Sequence, residues 1–175
     1  GGGQDVTELT QSIRWTGNIR QIARELRVQL AVPRDGSVPV PALEEGAALV
    51  FQTEGAARFT GQLLQCTTST ENSIADLSAL DGGRFLAGNQ GWFHFKDLPV
   101  EAAAARVCGE FGIPSGALAS GANVTRKFSG VDLDKIIATL YSIAGETTGK
   151  QYLPRFTGDG TLEVVEKPEA ARLEI

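Results

Sequence analysis

The stretch that most constrains the fold is residues 91–118, GWFHFKDLPVEAAAARVCGEFGIPSGAL, because it holds both a strand pattern and a helix with marked ends. The aromatic run Trp92-Phe93-His94-Phe95 predicts a short apolar strand, and Asp97-Leu98-Pro99 ends it. Pro99 also fixes a backbone angle suited to a helix start. Apolar residues then recur at helical spacing and predict one buried helix face: Val100, Ala104, Val107, Cys108 and Phe111.

The end of this helix is marked by three consecutive residues. Gly112 predicts a left-handed cap, Ile113 can fold back onto the last turn, and Pro114 forbids continuation of the helix. We therefore expect a strand followed directly by an amphipathic helix.

The first half of the chain predicts antiparallel strands separated by turns. Residues 6–15 alternate loosely and predict a strand, which a turn at Thr16-Gly17-Asn18 ends. Residues 19–26 fit either a helix or a strand, but the clean alternation of residues 26–32 favours a half-buried strand. Pro33-Arg34-Asp35-Gly36 breaks that strand. Further strands are predicted at residues 47–53, 58–68 and 75–80.

The second half predicts a smaller unit that also contains helices. A Gly/Ser-rich connector leads to a short strand at residues 124–128. Asp132 is suited to cap a second helix, and Gly145 and Gly149 mark the fraying end of that helix. Its buried face is predicted to comprise Leu133, Ile136, Ile137, Leu140 and Ala144. A hairpin signal at Gly158-Asp159-Gly160 joins two final strands, residues 151–156 and 162–166.

These elements predict an α+β fold that is mainly β. An antiparallel barrel-like N-terminal domain is expected over residues 5–88, and a small β-α-β-α-β-β domain over residues 89–168, with the boundary at 87–91. Residues 169–175 alternate like the start of a further strand or domain, so we expect the chain to be a fragment of a longer protein.

Composition argues against two classes of partner. The formal net charge is −5 and the pI is near 4.9, whereas a nucleic-acid-binding protein needs a basic face. No apolar run approaches the ~20 residues that a membrane-spanning helix needs. We therefore expect no nucleic acid and no membrane insertion. Cys66 and Cys108 are the only cysteines, and their isolation predicts reduced core residues.

No constellation for catalysis is apparent in the sequence. His94 is the only histidine, and alternation points it away from its two phenylalanine neighbours, as is typical of a surface residue. One histidine and two separated cysteines do not supply the usual ligands of a zinc site, and no phosphate-binding loop is present. We predict no enzyme and no catalytic, cofactor-binding or metal-binding residue. The adjacent carboxylates fit a solvated turn and a helix cap: Glu44 with Glu45, and Asp132 with Asp134.

Four arginines and two tryptophans are candidates for an assembly interface. The arginines cluster in an otherwise acidic protein, as either a solvated strand face or a patch complementary to an acidic partner surface. Each tryptophan is either a core residue or an interface anchor. The candidates are Arg14, Trp15, Arg20, Arg24, Arg27 and Trp92.

Several segments, taken in order and spacing, resemble a known family. They span about residues 5–167 and comprise residues 12–17 (SIRWTG), 80–81 (LD), 91–96 (GWFHFK), 101–102 (EA), 107–114 (VCGEFGIP), 116–120 (GALAS), 128–131 (FSGV), 136–137 (II) and Tyr141. In this arrangement the chain is similar to the phage-like element baseplate-hub family, of the late-control D type. One departure is Pro99-Val100, where the family often has Thr-Pro, which changes the helix cap.

The resemblance implies a structural protein. Members of the family occur in contractile tails of prophages and in tail-derived bacteriocins, and thus in contractile injection systems. Such hubs are trimers around the tail axis and link the tail tube to the spike. The implied partners are two further copies and the tube, spike and baseplate proteins, with no cofactor. The implied location is the bacterial cytoplasm during virion assembly, and then the baseplate of the particle.

Two alternatives stay open at this point. One is a tail-associated peptidoglycan-binding or cell-wall-hydrolysing module, because the β-α-α-β arrangement of residues 92–166 is loosely similar to small glycan-binding modules. The absence of a catalytic pair and of many exposed-looking aromatic residues counts against it. The other is an α+β domain of unrelated role.

Overall fold

A computed structural model describes residues 4–18, 21–33, 43–69, 71 and 73–168. Strands hold 53% of these described residues and helices 24%, which confirms the predicted fold class, α+β and mainly β. After a 3₁₀ turn at Thr7–Leu9, the elements are β1 (Thr10–Asn18), β2 (Gln21–Ala31), β3 (Ala48–Thr53), β4 (Ala56–Ser69), β5 (Ile74–Asp81), α1 (Gly83–Gly88), β6 (Gln90–Pro99), α2 (Val100–Glu110), β7 (Ser115–Leu118), β8 (Asn123–Asp132), α3 (Leu133–Thr148), β9 (Tyr152–Phe156) and β10 (Leu162–Glu166).

The first five strands form one antiparallel sheet, in the order β1-β2-β5-β4-β3, which curls into a half-barrel. Period-two alternation explains why one face is buried. Leu26, Val28 and Leu30 of β2 point to the same side and lie opposite three buried residues of β5. The predicted barrel-like character of the first half is therefore confirmed. The core of the curled sheet comprises Leu9, Leu26, Val28, Leu30, Phe59, Leu63, Ala75, Leu77 and Ala79.

Three local predictions in this half are wrong. The strand predicted for residues 6–15 begins only at Thr10, after the 3₁₀ turn at Thr7–Leu9. β1 continues through the predicted turn at Thr16-Gly17-Asn18, because Gly17 stays in register opposite Arg24. The sequence also predicts no helix at Gly83–Gly88, where α1 forms. The backbone N–H of Gly83 donates to the Asp81 carboxylate at 3.0 Å, and a Cβ on Gly83 would lie only 2.4 Å from the backbone of the neighbouring β2. The ambiguous segment is a strand from Gln21 onward; residues 19 and 20 lie outside the described residues.

The second half consists of two small sheets and two long helices. β6 and β8 pair as an antiparallel two-stranded ribbon, while β7, β10 and β9 form a sheet in which β7 runs parallel to β10. α2 and α3 pack against each other, and each contacts both sheets. The Gly/Ser-rich connector contains β7, and both ribbon strands are longer than predicted. The most deeply buried side chains here include Phe95, Val100, Leu133, Ile136, Ile137, Leu140 and Leu162.

α2 ends as the local sequence predicts, and α3 ends at one of its two predicted glycines. Gly112 has a φ of +63°, and the N–H of Ile113 donates to the carbonyl of Cys108 at 2.9 Å, as in a Schellman motif. α3 ends at Gly149, which has a φ of +72° and donates its N–H to the carbonyl of Gly145 at 2.8 Å. Gly145 therefore lies within α3 and does not mark its end.

Asp132 stands at the N-cap position of α3, but its side chain does not cap the helix. Its carboxylate instead accepts hydrogen bonds from Gln90 at 3.1 Å and Lys135 at 2.5 Å. The Lys135 ammonium and the Gln90 amide lower the pKa of Asp132. This carboxylate thus joins the start of β6 to the first turn of α3.

The buried side chains form two hydrophobic clusters, one inside the curled sheet and one between the helices and the two small sheets. Ile22 of β2 packs against the second cluster, so the two halves touch. The boundary predicted at residues 87–91 and the domain limits 5–88 and 89–168 stay predictions. Residues 169–175 lie outside the described residues. No helix in the described part of the chain is long and apolar enough to cross a membrane.

Candidate assembly surfaces

The outer edges of the curled sheet form an apolar surface. β1 and β3 are its outermost strands, and neither has a strand partner on its outer side within the described residues. The two edge strands face each other across the opening of the half-barrel. There the rings of Trp15 and Phe51 contact each other, with centroids 5.5 Å apart. Trp15 lies opposite Leu26 and Ile13 opposite Val28, so both point to the core-facing side. They nevertheless stay 50% and 38% exposed. We call Ile13, Trp15 and Phe51 the seam.

Arg24 belongs to an internal network. The buried Asp81 carboxylate accepts hydrogen bonds from Arg24 Nε at 2.9 Å and from the backbone N–H groups of Arg24 and Gly83, each at 3.0 Å. Arg24 Nη2 also donates to the carbonyl of Thr157 at 2.9 Å. Because Thr157 directly follows β9, this network ties the curled sheet to the second half of the protein.

Arg14 and Arg27 lie opposite each other on the outer face of β1 and β2. Arg27 Nε donates to Glu25 Oε1 at 2.9 Å, and Ser78 Oγ donates to the same oxygen at 3.0 Å. Chiefly because of the Arg27 hydrogen bond, the pKa of Glu25 is lowered. Arg14 makes no ion pair with any described residue. The positive charge of this face is therefore partly neutralised by Glu25.

The β6–β8 ribbon has one buried face and one exposed face. Phe93 and Phe95 point inward and stack with ring centroids 5.4 Å apart, and Phe128 packs edge-on against Phe95. Trp92 points outward and is 67% exposed. His94 is also exposed, so the prediction that it points away from both phenylalanines is confirmed.

Two bulges set how the exposed face of the ribbon is presented. Gly130 has a φ of +62° at a register shift, and a Cβ there would lie 3.4 Å from the Trp92 indole. Asp97 has a φ of +48° at the second shift. Its N–H donates to Thr125 Oγ1 at 2.9 Å, and its carboxylate accepts from Asn123 at 3.0 Å. We call four exposed side chains on the outer side of the ribbon the ribbon face: Trp92, His94, Lys96 and Lys127.

The sequence profile of the YQBQ-like family matches residues 13–172, and so includes the curled sheet, the ribbon and both long helices. The chain belongs to the YQBQ-like family. No curated protein matches its sequence.

Two solved structures share the fold of this YQBQ-like chain. The 43 kDa tail protein of prophage MuSo2 from Shewanella oneidensis matches 84% of the chain with a TM-score of 0.64 and 16% sequence identity. A tail protein from Neisseria meningitidis MC58 matches 85% with a TM-score of 0.66 and 18% identity. The match covers 47% and 44% of those two chains, so the YQBQ-like chain spans less than half of their length. The fold is thus that of phage tail proteins, as the resemblance implies at this coarser level.

The six interface candidates do not share one surface in this YQBQ-like chain. Trp15 lies at the seam and Trp92 on the ribbon face, while Arg24 is held inside by Asp81. The two remaining described arginines occupy the outer face of β1 and β2, and Arg20 lies outside the described residues. Whether any of these residues contacts a partner stays a prediction.

Three residues that complete these two surfaces were not among the candidates. Phe51 completes the seam, but it comes from a strand far away in sequence, so no local signal places it beside Trp15. Lys96 and Lys127 complete the ribbon face. The period-two alternation that placed His94 also places Lys96 on the same side as Trp92, and could have identified it.

The cysteines and the adjacent carboxylates of this YQBQ-like chain lie in different environments. Both cysteines are free; Cys108 is buried in α2, and burial raises its pKa to about 11, while Cys66 is half-buried. Glu44 and Glu45 are exposed. Among the described residues, no group of three or more His, Cys, Asp or Glu side chains could hold a metal ion.

Proposed function

We propose that this chain is part of a structural baseplate hub protein of a contractile phage tail or phage-tail-like particle, which links the tail tube to the spike. In this proposal the protein is not an enzyme and works as a homotrimer with tube, spike and baseplate proteins as neighbours. It is assembled in the bacterial cytoplasm and ends in the baseplate of the particle.

The observation that carries the proposal is the seam, in a fold shared with phage tail proteins. Trp15 and Ile13 point to the core side of the curled sheet but stay about half and one-third exposed. Unpaired sheet edges invite pairing with another chain, and proteins that do not use them usually block them with charge or proline. Apolar side chains line this opening, so a neighbouring subunit would complete its burial.

The closed symmetry of a trimer suits such an opening. One subunit presents two different edges, β1 and β3, and a cyclic assembly can use each edge once per subunit. A ring built this way would leave no curled sheet with a bare edge. The second half has its own buried core, so it can be carried on that ring without taking part in the closure.

Labelling of assembled particles tests the location of the protein. A short epitope tag inserted in the exposed Glu54-Gly55 turn should be bound by gold-labelled antibody on the tail axis, at the junction of tube and spike. A second insertion at Gly149-Lys150 controls for masking of the first tag. Label along the whole tube or on peripheral fibres would refute the hub role, and absence of the protein from purified particles would refute a tail role altogether.

Light scattering tests the trimer separately. A protein that contains the whole hub region should have three times the mass of one subunit in solution. The substitution Trp15→Lys places a charge in the seam and should therefore lower the measured mass towards that of the monomer. A mass that is unchanged by Trp15→Lys would argue against closure through β1. Sedimentation with purified cell wall tests the alternative: retention of the chain there would favour a peptidoglycan-binding module.

A further inference from the structure

Four cations without an acidic partner surround the β6–β8 ribbon. The described ion pairs of the chain engage Arg24, Arg27, Lys135, Lys150 and Arg155, each with a carboxylate. Four other cations on or beside the ribbon are in no such pair within the described residues, although the whole chain carries a net charge of −5. These four are Lys96, Arg106, Arg126 and Lys127.

These cations lie close together on the ribbon. Lys127 lies directly opposite His94, and the neighbouring Arg126 lies opposite Phe95. The guanidinium of Arg106, from α2, stands 5.9 Å from the centre of the Phe95 ring, and this contact partly accounts for its position. No described carboxylate pairs with the two lysines of the ribbon face, and an acidic ligand would neutralise their charge.

An apolar group lies at the centre of the same surface. Trp92 is 67% exposed, and its indole lies beside Gly130. The exposed area of this side chain is on the order of 150 Å². Tryptophan and arginine are enriched at the energetic centres of protein interfaces, whereas lysine at the rim mainly steers the partner. Trp92 therefore fits an anchor that is flanked by charge.

We propose that the ribbon face binds an acidic, extended segment of a partner protein. Trp92 packs against an apolar side chain of that segment, and the ammonium groups of Lys96 and Lys127 pair with carboxylates on either side of it. Arg106 and Arg126 add positive potential at the margin. A protein segment fits better than nucleic acid, because the negative charge of the chain as a whole would repel a polyanionic backbone that extends beyond the ribbon. The inference rests on the ribbon alone and does not depend on the proposed hub role.

Trp92 is also the reporter that tests the binding. In the full chain with Trp15→Phe, Trp92 is the one remaining tryptophan. The probe is a synthetic peptide in which glutamate alternates with valine, and the control peptide has lysine in place of every glutamate. The glutamate peptide should change Trp92 fluorescence in a saturable way, and the lysine peptide should not. Calorimetric titration of the unaltered chain with the same peptides guards against an effect of the Trp15 substitution.

Matched charge reversals separate local pairing from the general charge of the protein. Lys96→Glu combined with Lys127→Glu should weaken the peptide affinity by about tenfold, because two exposed ion pairs become repulsive. Arg14→Glu combined with Arg58→Glu changes the net charge equally at exposed positions of the curled sheet, and should leave the affinity within about twofold. Circular dichroism should show both double variants folded, since all four side chains are exposed.

Three results would overturn the proposal. One is the lack of saturable binding of the glutamate peptide to the unaltered chain. Another is an equal loss of affinity in the two double variants, which would mean that only net charge matters. The third is tighter binding of single-stranded DNA than of the peptide, which would assign the ribbon face to nucleic acid.

Discussion

The curled sheet and the helix-containing second half bury their apolar side chains to different degrees. In the second half, two helices lie against two small sheets, and side chains such as Phe95 and Leu140 are almost completely buried. The curled sheet buries Phe59 and Leu30 just as completely at its centre, but Trp15 at its edge remains half exposed. The first region is therefore open at its edges, whereas the second is closed by its own elements.

This difference shows what each region needs from its surroundings. Sheets bury one face against another layer. A sheet that curls only halfway leaves part of that face exposed along its two edges. The second half meets the requirement within the chain, so its exposed aromatic residue, Trp92, lies on a solvent-facing side that the core does not need. Trp15, in contrast, lies on the core-facing side of the curled sheet, where further burial would stabilise the protein.

Truncation of a phenylalanine in each region should give the largest contrast. Phe95→Ala is expected to lower the free energy of unfolding by about 4 kcal/mol, because it removes a buried ring that packs on Phe93 and Phe128. Phe51→Ala at the seam should lower it by about 1.5 kcal/mol, since that ring is only half-buried. Urea denaturation followed by circular dichroism measures both. Equal losses would mean that the curled sheet is as closed as the second half.

Removal of the Asp81 carboxylate tests how the two regions are joined. Asp81→Ala should cost about 3 kcal/mol, because it leaves the Arg24 guanidinium and two backbone N–H groups without their acceptor. Glu25→Ala removes an exposed ion pair with Arg27 and should cost about 0.5 kcal/mol or less. Thermal denaturation compares the two variants.

Hydrogen exchange of the same variant gives a regional readout. Arg24 also holds the carbonyl of Thr157, so Asp81→Ala should speed amide exchange in the β9–β10 hairpin as well as in the curled sheet. Faster exchange in the curled sheet alone would show that the network does not couple the two regions.

The comparison also explains which features the sequence could predict. The Gly112 cap of α2 and the outward direction of His94 were predictable, because each depends on residues within one turn or one strand. The helix α1 was not predicted, because it is only six residues long and has a glycine at each end. Its first turn also depends on the Asp81 carboxylate and on close contact with β2. Periodicity within a window cannot detect such a contact.

The charge on the curled sheet and on the ribbon was also difficult to predict from sequence windows. The arginines of the first two strands stand out in the sequence because they are close together, yet Asp81 and Glu25 engage two of them. The four cations at the ribbon come from β6, α2 and β8, and only Arg126 and Lys127 are neighbours in the sequence. Clustering along the chain therefore pointed to the arginines of β1 and β2, although tertiary contacts neutralise part of their positive charge.

The two tryptophans offer a contrast of intermediate size. Trp15→Ala should destabilise the isolated chain by about 2 kcal/mol, because half of the ring is buried and it packs on Phe51. Trp92→Ala should change stability by about 0.5 kcal/mol or less, since the ring lies on a surface that contributes little to the core. Chemical denaturation of the two variants under the same conditions measures both losses of stability. A larger loss for Trp92→Ala would reverse the assignment of core-facing and solvent-facing sides.

The smallest expected effect is a pH dependence that comes from the closed region. Burial in α2 raises the pKa of Cys108 to about 11, above the value of about 8.5 for an exposed thiol. The folded protein therefore holds this proton more tightly than the unfolded chain. The resulting stability is fully present below pH ~8.5 and is lost as the pH rises towards about 11, with a loss on the order of 1 kcal/mol between pH 7 and 9.

Single-thiol variants isolate this contribution of Cys108. With Cys66→Ala as the common background, the stability difference between that protein and the Cys66→Ala/Cys108→Ala protein should be constant at neutral pH and should shrink as the pH rises from 8 to 10. Subtracting the two curves removes the titration of the lysines and tyrosines that both proteins share. A constant difference up to pH 10 would mean that the α2 core opens readily enough to solvate the thiolate, and the second half would then be no more closed than the curled sheet.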